Sequence, residues 1–129
     1  MQPRSAKTRI LFVDDEARIT QMAGEVLVAR GFEVLALTEP QAALAAFLAR
    51  PDDFDVAVLD HTMPELSGLE LAARMFAQRA DLPILLLSGF AEGISRSALT
   101  RAGVRECLSK PFPLSQLASV LDALVAQAS

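Results

Sequence analysis

The sequence alternates short apolar runs with longer segments in which apolar residues recur at helical spacing, and this alternation constrains the fold more than any other feature. Each apolar run is typical of a strand, and each following segment is typical of an amphipathic helix. The predicted strands are residues 9–13, 33–37, 54–59, 82–87 and 106–108. This order predicts an α/β domain with an open, doubly wound parallel sheet that helices cover on both faces.

Length and composition limit what such a domain does. The chain has 129 residues, which suits one compact domain. Its single cysteine excludes an internal disulfide and favours a reducing, cytoplasmic setting. The net charge of −4 argues against binding to nucleic acid or to an anionic membrane. We therefore expect a cytoplasmic domain that contacts neither.

Two segments have the pattern of a capping box, in which the first and fourth side chains bond each other's backbone N–H groups. Residues 38–41 read Thr-Glu-Pro-Gln, and residues 67–70 read Ser-Gly-Leu-Glu. We expect the second and third helices to begin at these segments. Gly31 and Gly103 are predicted to end the first and fourth helices.

Polar side chains follow four of the five predicted strands. They are Asp14 and Asp15, Asp60, Ser88 and Lys110. The carboxyl ends of parallel strands meet at one edge of the sheet, so we expect these side chains to converge. Three neighbouring carboxylates repel each other and call for a compensating cation. Oxygen ligands on an open site favour Mg²⁺, with Mn²⁺ as a substitute.

Added to the acids, Lys110 and the hydroxyl of Ser88 give the composition of a phosphoryl-transfer site. A carboxylate can act as the nucleophile and form an acyl phosphate. Plainer interpretations exist for the same residues. Asp14 and Asp15 could cap the first helix, and Asp60 could be an ordinary turn residue.

The sole histidine and the sole cysteine are interpreted conservatively. His61 could be considered a phosphodonor or a metal ligand. We favour the interpretation that it is a partly exposed residue beside the site. Cys107 is more consistent with a small buried apolar residue than with a redox sensor.

Five segments, in order and on the predicted elements, resemble the receiver domain of two-component response regulators. They are residues 10–16 (Ile-Leu-Phe-Val-Asp-Asp-Glu), 58–64 (Val-Leu-Asp-His-Thr-Met-Pro), 68 (Gly), 86–89 (Leu-Leu-Ser-Gly) and 108–112 (Leu-Ser-Lys-Pro-Phe). The resemblance extends over residues 8–125. It implies a flavodoxin-like (βα)5 fold with strand order 2-1-3-4-5, a receiver domain over residues 8–127 and a short polar extension over residues 1–7.

The resemblance also implies a metal site. Asp15 and Asp60 would bind Mg²⁺ directly, together with the backbone carbonyl of Thr62. Asp14 would act mostly through water.

For the phosphoryl group, the resemblance implies that Asp60 is the acceptor. The donor would be a phosphohistidine on a histidine kinase or on a histidine phosphotransfer domain. Ser88 and Lys110 would contact the phosphoryl group, and the Lys110–Pro111 bond would be cis. The domain would not be a conventional enzyme, because it would catalyse only its own phosphorylation and dephosphorylation.

One position departs from the family. Members usually have Tyr or Phe three residues before the lysine, and this chain has Cys107. The aromatic half of the usual switch is then absent, or another residue such as Phe90 supplies it. Activation would be conveyed mainly by backbone movement after Ser88.

Residues 87–90 and 103–106 look most like receivers fused to hybrid sensor histidine kinases, which would make this domain a cytosolic part of a membrane-bound sensor. The alternatives are a stand-alone single-domain response regulator and a non-phosphorylated pseudo-receiver that only binds partners. An aspartyl-nucleophile hydrolase is disfavoured because residues 60–62 lack its usual second acid.

Partner binding is expected on one further surface. The resemblance implies a homodimer or partner interface on the fourth helix, fifth strand and fifth helix. Arg96, Arg101 and Arg105 lie near this surface.

Overall fold

The computed structural model describes residues 7–89 and 93–128, which form one five-stranded sheet and five α-helices. Strands β1 to β5 are Arg9–Val13, Glu33–Leu37, Val56–Asp60, Ile84–Ser88 and Glu106–Ser109. Helices α1 to α5 are Ala17–Ala29, Pro40–Ala49, Gly68–Gln78, Arg96–Arg101 and Leu114–Ala128. Within these described ranges, no helix has the length and apolar character needed to cross a membrane.

The sheet confirms the predicted fold. Its order is β2-β1-β3-β4-β5, and every neighbouring pair of strands is parallel. All residues of β3 and β4 are buried, because these strands have a neighbour on each side and helices on both faces. The edge strands β2 and β5 are only partly buried. The continuous apolar runs therefore mark the centre of the sheet.

Two apolar clusters lie on opposite faces of the sheet. One joins it to α2, α3 and α4 and includes Phe47, Leu59 and Met75. The other joins it to α1 and α5 and includes Phe12 and Leu121. Because each face is closed, the strand ends form the edge at which polar groups can meet without opening the core.

The strands β3 and β4 begin two residues later than predicted, at Val56 and Ile84. Phe54 and Leu82 are buried as their apolar character indicated, but each lies before the strand that follows it. The carbonyl of Phe54 accepts a hydrogen bond from the guanidinium of Arg79. A prediction from apolar character alone therefore starts both strands too early.

One of the two predicted capping boxes is present. The Ser67 hydroxyl accepts from the Glu70 N–H, and the Glu70 carboxylate accepts from the Ser67 N–H, both at 3.1 Å. The box predicted at residues 38–41 is wrong. The N-cap of α2 is Glu39, without a side-chain cap, and Pro40 opens the helix. Proline is favoured at the first helical position, so the helix begins one residue later than the box requires.

Gly103 ends α4 with φ of 80°, and a Cβ there would overlap the ring of Phe76. We expect Gly103→Ala to lower the free energy of unfolding by about 2–3 kcal/mol, because it adds backbone strain and overlap. Gly24 is the matched control, since it lies within α1 with open space around it. Gly24→Ala should raise the free energy of unfolding by about 0.5–1 kcal/mol. Urea unfolding measures both, and equal effects would contradict the packing described.

Candidate functional site

The carboxyl ends of β1, β3 and β5 bring acidic and basic side chains together. The Lys110 Nζ lies 2.9 Å from an Asp14 oxygen and 2.8 Å from an Asp60 oxygen. Lys110 follows β5, where its N–H donates to the Ser88 carbonyl at 2.7 Å. The Lys110–Pro111 bond is cis, as the resemblance implied. One ammonium group therefore joins two acids from different strands.

Three carboxylates share this edge of the sheet. Asp14, Asp15 and Asp60 each place one oxygen within 4.8 Å of the others. Asp14 and Asp60 are buried, whereas Asp15 is exposed. The three carboxylates offer oxygen ligands, and the site is open on the side of Asp15. An open site suits Mg²⁺, which usually keeps several water ligands when it binds a protein. One lysine cannot neutralise three acids, so a divalent cation would relieve the remaining repulsion.

Asp14 is held by two hydrogen bonds. One carboxylate oxygen accepts from the Glu16 N–H at 2.9 Å, and the other accepts from Lys110 at 2.9 Å. The N-cap residue of α1 is Glu16, so neither Asp14 nor Asp15 caps this helix. The plainer interpretation of these two acids is therefore wrong.

The pKa of Asp60 is raised from 3.8 to about 6, chiefly by burial, with the charges of Asp14 and Asp15 acting in the same direction. The hydrogen bond and charge of Lys110 act in the opposite direction without cancelling this effect. Burial alone would lower the pKa of Lys110, but its hydrogen bonds to Asp60 and Asp14 outweigh burial and raise that pKa above 10.5. Near neutral pH the lysine is charged and Asp60 is mostly ionised, whereas near pH 6 Asp60 is partly protonated.

The loop after β3 is shaped by a close approach to the backbone of Asp60. A Cβ on Gly68 would overlap the Asp60 carbonyl, so only glycine lets α3 begin here. The Gly68 N–H donates to the His61 carbonyl at 2.9 Å and closes the loop. Thr62 lies in this loop and is exposed. Its role as a metal ligand through the backbone stays a prediction.

Ser88 lies at the end of β4 and is 8% exposed. Its hydroxyl is 3.3 Å from the Sγ atom of half-buried Cys107. Residue-by-residue reasoning missed this contact, because it arises from the pairing of β4 with β5. Phe90, the residue considered as a substitute for the missing aromatic, lies outside the described residues.

His61 is half-buried next to Asp60 and does not belong to the carboxylate cluster. Its backbone N–H donates to the Leu87 carbonyl at 2.8 Å. Within the described residues, its buried Nδ1 atom has no hydrogen-bond partner. These contacts agree with a residue that borders the site.

The raised pKa of Asp60 predicts a pH-dependent stability in metal-free protein. Between about 4 and about 6 the folded state binds more protons than the unfolded state, so stability falls as the pH rises through this window. Asp60→Asn removes that penalty. In EDTA at pH 7.5 we expect the variant to be more stable than the wild type by about 1–3 kcal/mol, with the difference shrinking towards pH 4.

Urea unfolding at several pH values measures this difference. The control is Asp81, an exposed carboxyl whose pKa is lowered by a hydrogen bond and the charge of Arg79. Asp81→Asn should bring no stabilisation at pH 7.5. A pH-independent difference between Asp60→Asn and the wild type would show that Asp60 is ionised normally.

Comparisons with known proteins agree with this geometry. A family model described as the response regulator receiver domain matches residues 10–122. The chain is 34% identical over 121 residues to the transcriptional regulatory protein TcrA of Mycobacterium tuberculosis. The match covers 94% of this chain and 47% of TcrA, so the chain spans about half the length of that relative.

Two solved structures share the fold. The response regulator protein TrrA of Thermotoga maritima, in complex with Mg²⁺-BeF, is 32% identical with a TM-score of 0.78, over 91% of this chain and 98% of TrrA. A CheY-like receiver domain protein of Methanospirillum hungatei has a TM-score of 0.88 at 23% identity, over 95% and 97% of the two chains. At that identity the second likeness shows the fold alone. The family model matches most of the length of this chain. The chain therefore belongs to the response regulator receiver domains, the phosphoacceptor modules of two-component signalling.

Proposed function

We propose that Asp60 accepts a phosphoryl group from a phosphohistidine of a histidine kinase or a histidine phosphotransfer domain, in a reaction that needs Mg²⁺. The observation that carries this proposal is the position of Lys110, 2.9 Å from Asp14 and 2.8 Å from Asp60 within the cluster of three acids. In the reaction, a P–O bond forms to the Asp60 carboxylate as the P–N bond breaks. The electron pair of that bond returns to the imidazole.

The contacts favour Asp60 over Asp14 as the nucleophile. Both oxygens of Asp14 already accept hydrogen bonds, from Glu16 and Lys110. Asp60 pairs with Lys110 through one of its two oxygens, at 2.8 Å. A nucleophile needs an available lone pair on the attacking oxygen, and we propose the second oxygen of Asp60 for that role.

We propose that Asp15, Asp60 and the Thr62 carbonyl hold Mg²⁺, or Mn²⁺ in its place, with Asp14 acting through water. The exposed position of Asp15, and the hydrogen bonds that both oxygens of Asp14 already accept, support this division. When bound, the ion neutralises charge on the phosphoryl oxygens. TrrA, a relative of the same family, was crystallised with Mg²⁺-BeF, which supports the choice of metal.

Lys110 and Ser88 complete the proposed site. Lys110 would turn from its carboxylate partners towards a phosphoryl oxygen, which its single flexible chain permits. The Ser88 hydroxyl would donate to another oxygen of the group. These two donors would then balance part of the charge that Asp60 gains on phosphorylation.

A second proposal concerns the kind of protein to which this domain belongs. We infer a receiver domain over residues 8–127 that belongs to a hybrid sensor kinase in the cytoplasm, on the likeness of residues 87–90 and 103–106 alone. A stand-alone response regulator is the alternative, and the relative TcrA, named a transcriptional regulatory protein, favours a regulator. The proposed partner or homodimer surface consists of α4, β5 and α5. The exposed side chains of Arg96 and Arg101 on α4 support this choice.

Incubation with acetyl phosphate and Mg²⁺, followed by intact-mass measurement, tests the phosphoacceptor. We expect a mass increase of one phosphoryl group in the wild type, and no adduct after Asp60→Asn or in EDTA. The matched control is Asp81→Asn, which changes an exposed acid away from the cluster and should keep the adduct.

An adduct that survives Asp60→Asn would overturn the assignment. No adduct in the wild type would favour the pseudo-receiver, for which Cys107 in place of the switch aromatic is the supporting observation. Catalytic turnover of small phosphate esters would instead favour the aspartyl hydrolase.

A further inference from the structure

The hydroxyl of Ser88 has an unusual partner for a buried polar group. Ser88 is 8% exposed, and in the part of the chain that the structure describes its hydroxyl has one hydrogen-bond partner, the Cys107 Sγ at 3.3 Å. A serine hydroxyl can donate one hydrogen bond and accept two, whereas a thiol is a weak donor and a weak acceptor. Ser88 is therefore held by a contact that a stronger acceptor can displace.

The pairing of β4 with β5 produces this contact. Leu86 lies beside Cys107, and Ser88 lies beside Ser109. Since side chains alternate along a strand, Ser88 and Cys107 share the sheet face that α2, α3 and α4 cover. The backbone of Ser88 meanwhile borders the site, because its carbonyl accepts from the Lys110 N–H. The residue thus adjoins the acidic cluster while its hydroxyl contacts β5.

The side chains of β5 that share this sheet face with Ser88 are those of Cys107 and Ser109, and both are small. Cys107 lines a cavity of about 390 Å³ between α4 and β5, together with Ile94, Leu99 and Val104. A cysteine is small, so the space beside it stays open within the described residues. The link between the two residues is therefore a hydrogen bond, which breaks by rotation of a side chain and needs no rearrangement of the core.

We propose that Cys107 is a positioning residue for Ser88, and that its thiol keeps the hydroxyl away from the acceptor carboxylate until a phosphoryl group competes for it. This inference rests on the proposed phosphorylation of Asp60. A phosphoryl oxygen is charged, and a hydrogen bond to it is stronger than a neutral contact with sulfur. Phosphorylation would therefore release Ser88 from Cys107 and free the thiol.

Binding of Mg²⁺ and beryllofluoride, a mimic of the phosphoryl group, tests this in a double-mutant cycle. Cys107→Ala should tighten binding about two- to fivefold, because the competing contact is lost. Cys107→Ser keeps a hydrogen-bonding group and should bind as weakly as the wild type or more weakly. In a Ser88→Ala background, Cys107→Ala should leave the affinity unchanged.

Thermal unfolding of the same variants separates this role from packing. If Cys107 only fills space, Cys107→Ala changes stability while its effect on affinity is the same with or without Ser88. That result would overturn the inference. The expected result is an affinity change that depends on Ser88, together with a loss of stability on Cys107→Ala that is smaller in the Ser88→Ala background, where no contact between the two residues remains to be lost.

The single thiol also provides a readout in the unmodified protein. Its reaction rate with a small disulfide reagent should rise about two- to fivefold when Mg²⁺ and beryllofluoride are added, as the contact with Ser88 breaks. Asp60→Asn should abolish the increase. In Ser88→Ala the rate should be high from the start and should not respond.

The outcomes distinguish this inference from the proposed function. If the wild type does not bind beryllofluoride, or binds it equally after Asp60→Asn, both fail. If binding depends on Asp60 but Cys107→Ala changes neither the affinity nor its dependence on Ser88, the role of Cys107 alone is overturned.

Discussion

The ion pairs of Lys110, 2.9 Å from Asp14 and 2.8 Å from Asp60, are the contacts on which the site depends. They form only because a parallel sheet places the ends of β1, β3 and β5 at one edge. Burial, together with the charges of Asp14 and Asp15, raises the pKa of Asp60 to about 6, and because one positive charge does not balance three acids, the cluster favours a divalent cation. The proposed metal site and the proposed nucleophile thus rest on one arrangement of side chains.

Much of the fold follows from local patterns. The alternation of apolar runs with helical segments predicted all five βα units, and strand ends identified the polar residues of the site. The strand order came from the family resemblance, because local patterns do not say on which side of the sheet each new strand is added. The predicted start of α2 was wrong for a local reason. Pro40 takes the first helical position, so Glu39 is the N-cap and the predicted capping box at residues 38–41 does not form.

Other features that escaped prediction depend on contacts between different strands. Asp14 and Asp15 are adjacent in sequence, yet one is buried against Lys110 and the other is exposed. The contact of Ser88 with Cys107 likewise needs the register of β4 against β5. In the sequence, Cys107 stands where the family usually has an aromatic residue. In the folded chain, the same cysteine is a hydrogen-bond partner of Ser88.

Proton release on Mg²⁺ binding tests most directly whether Asp60 is both the readily protonated carboxyl and a metal ligand. Calorimetric titrations at pH 6, in two buffers with different ionisation enthalpies, count the protons released. With a pKa of about 6, Asp60 is half protonated at that pH, so about half a proton should leave per Mg²⁺ bound. Almost none should leave at pH 8 or from Asp60→Asn. Binding at pH 6 without proton release would contradict this description of the site.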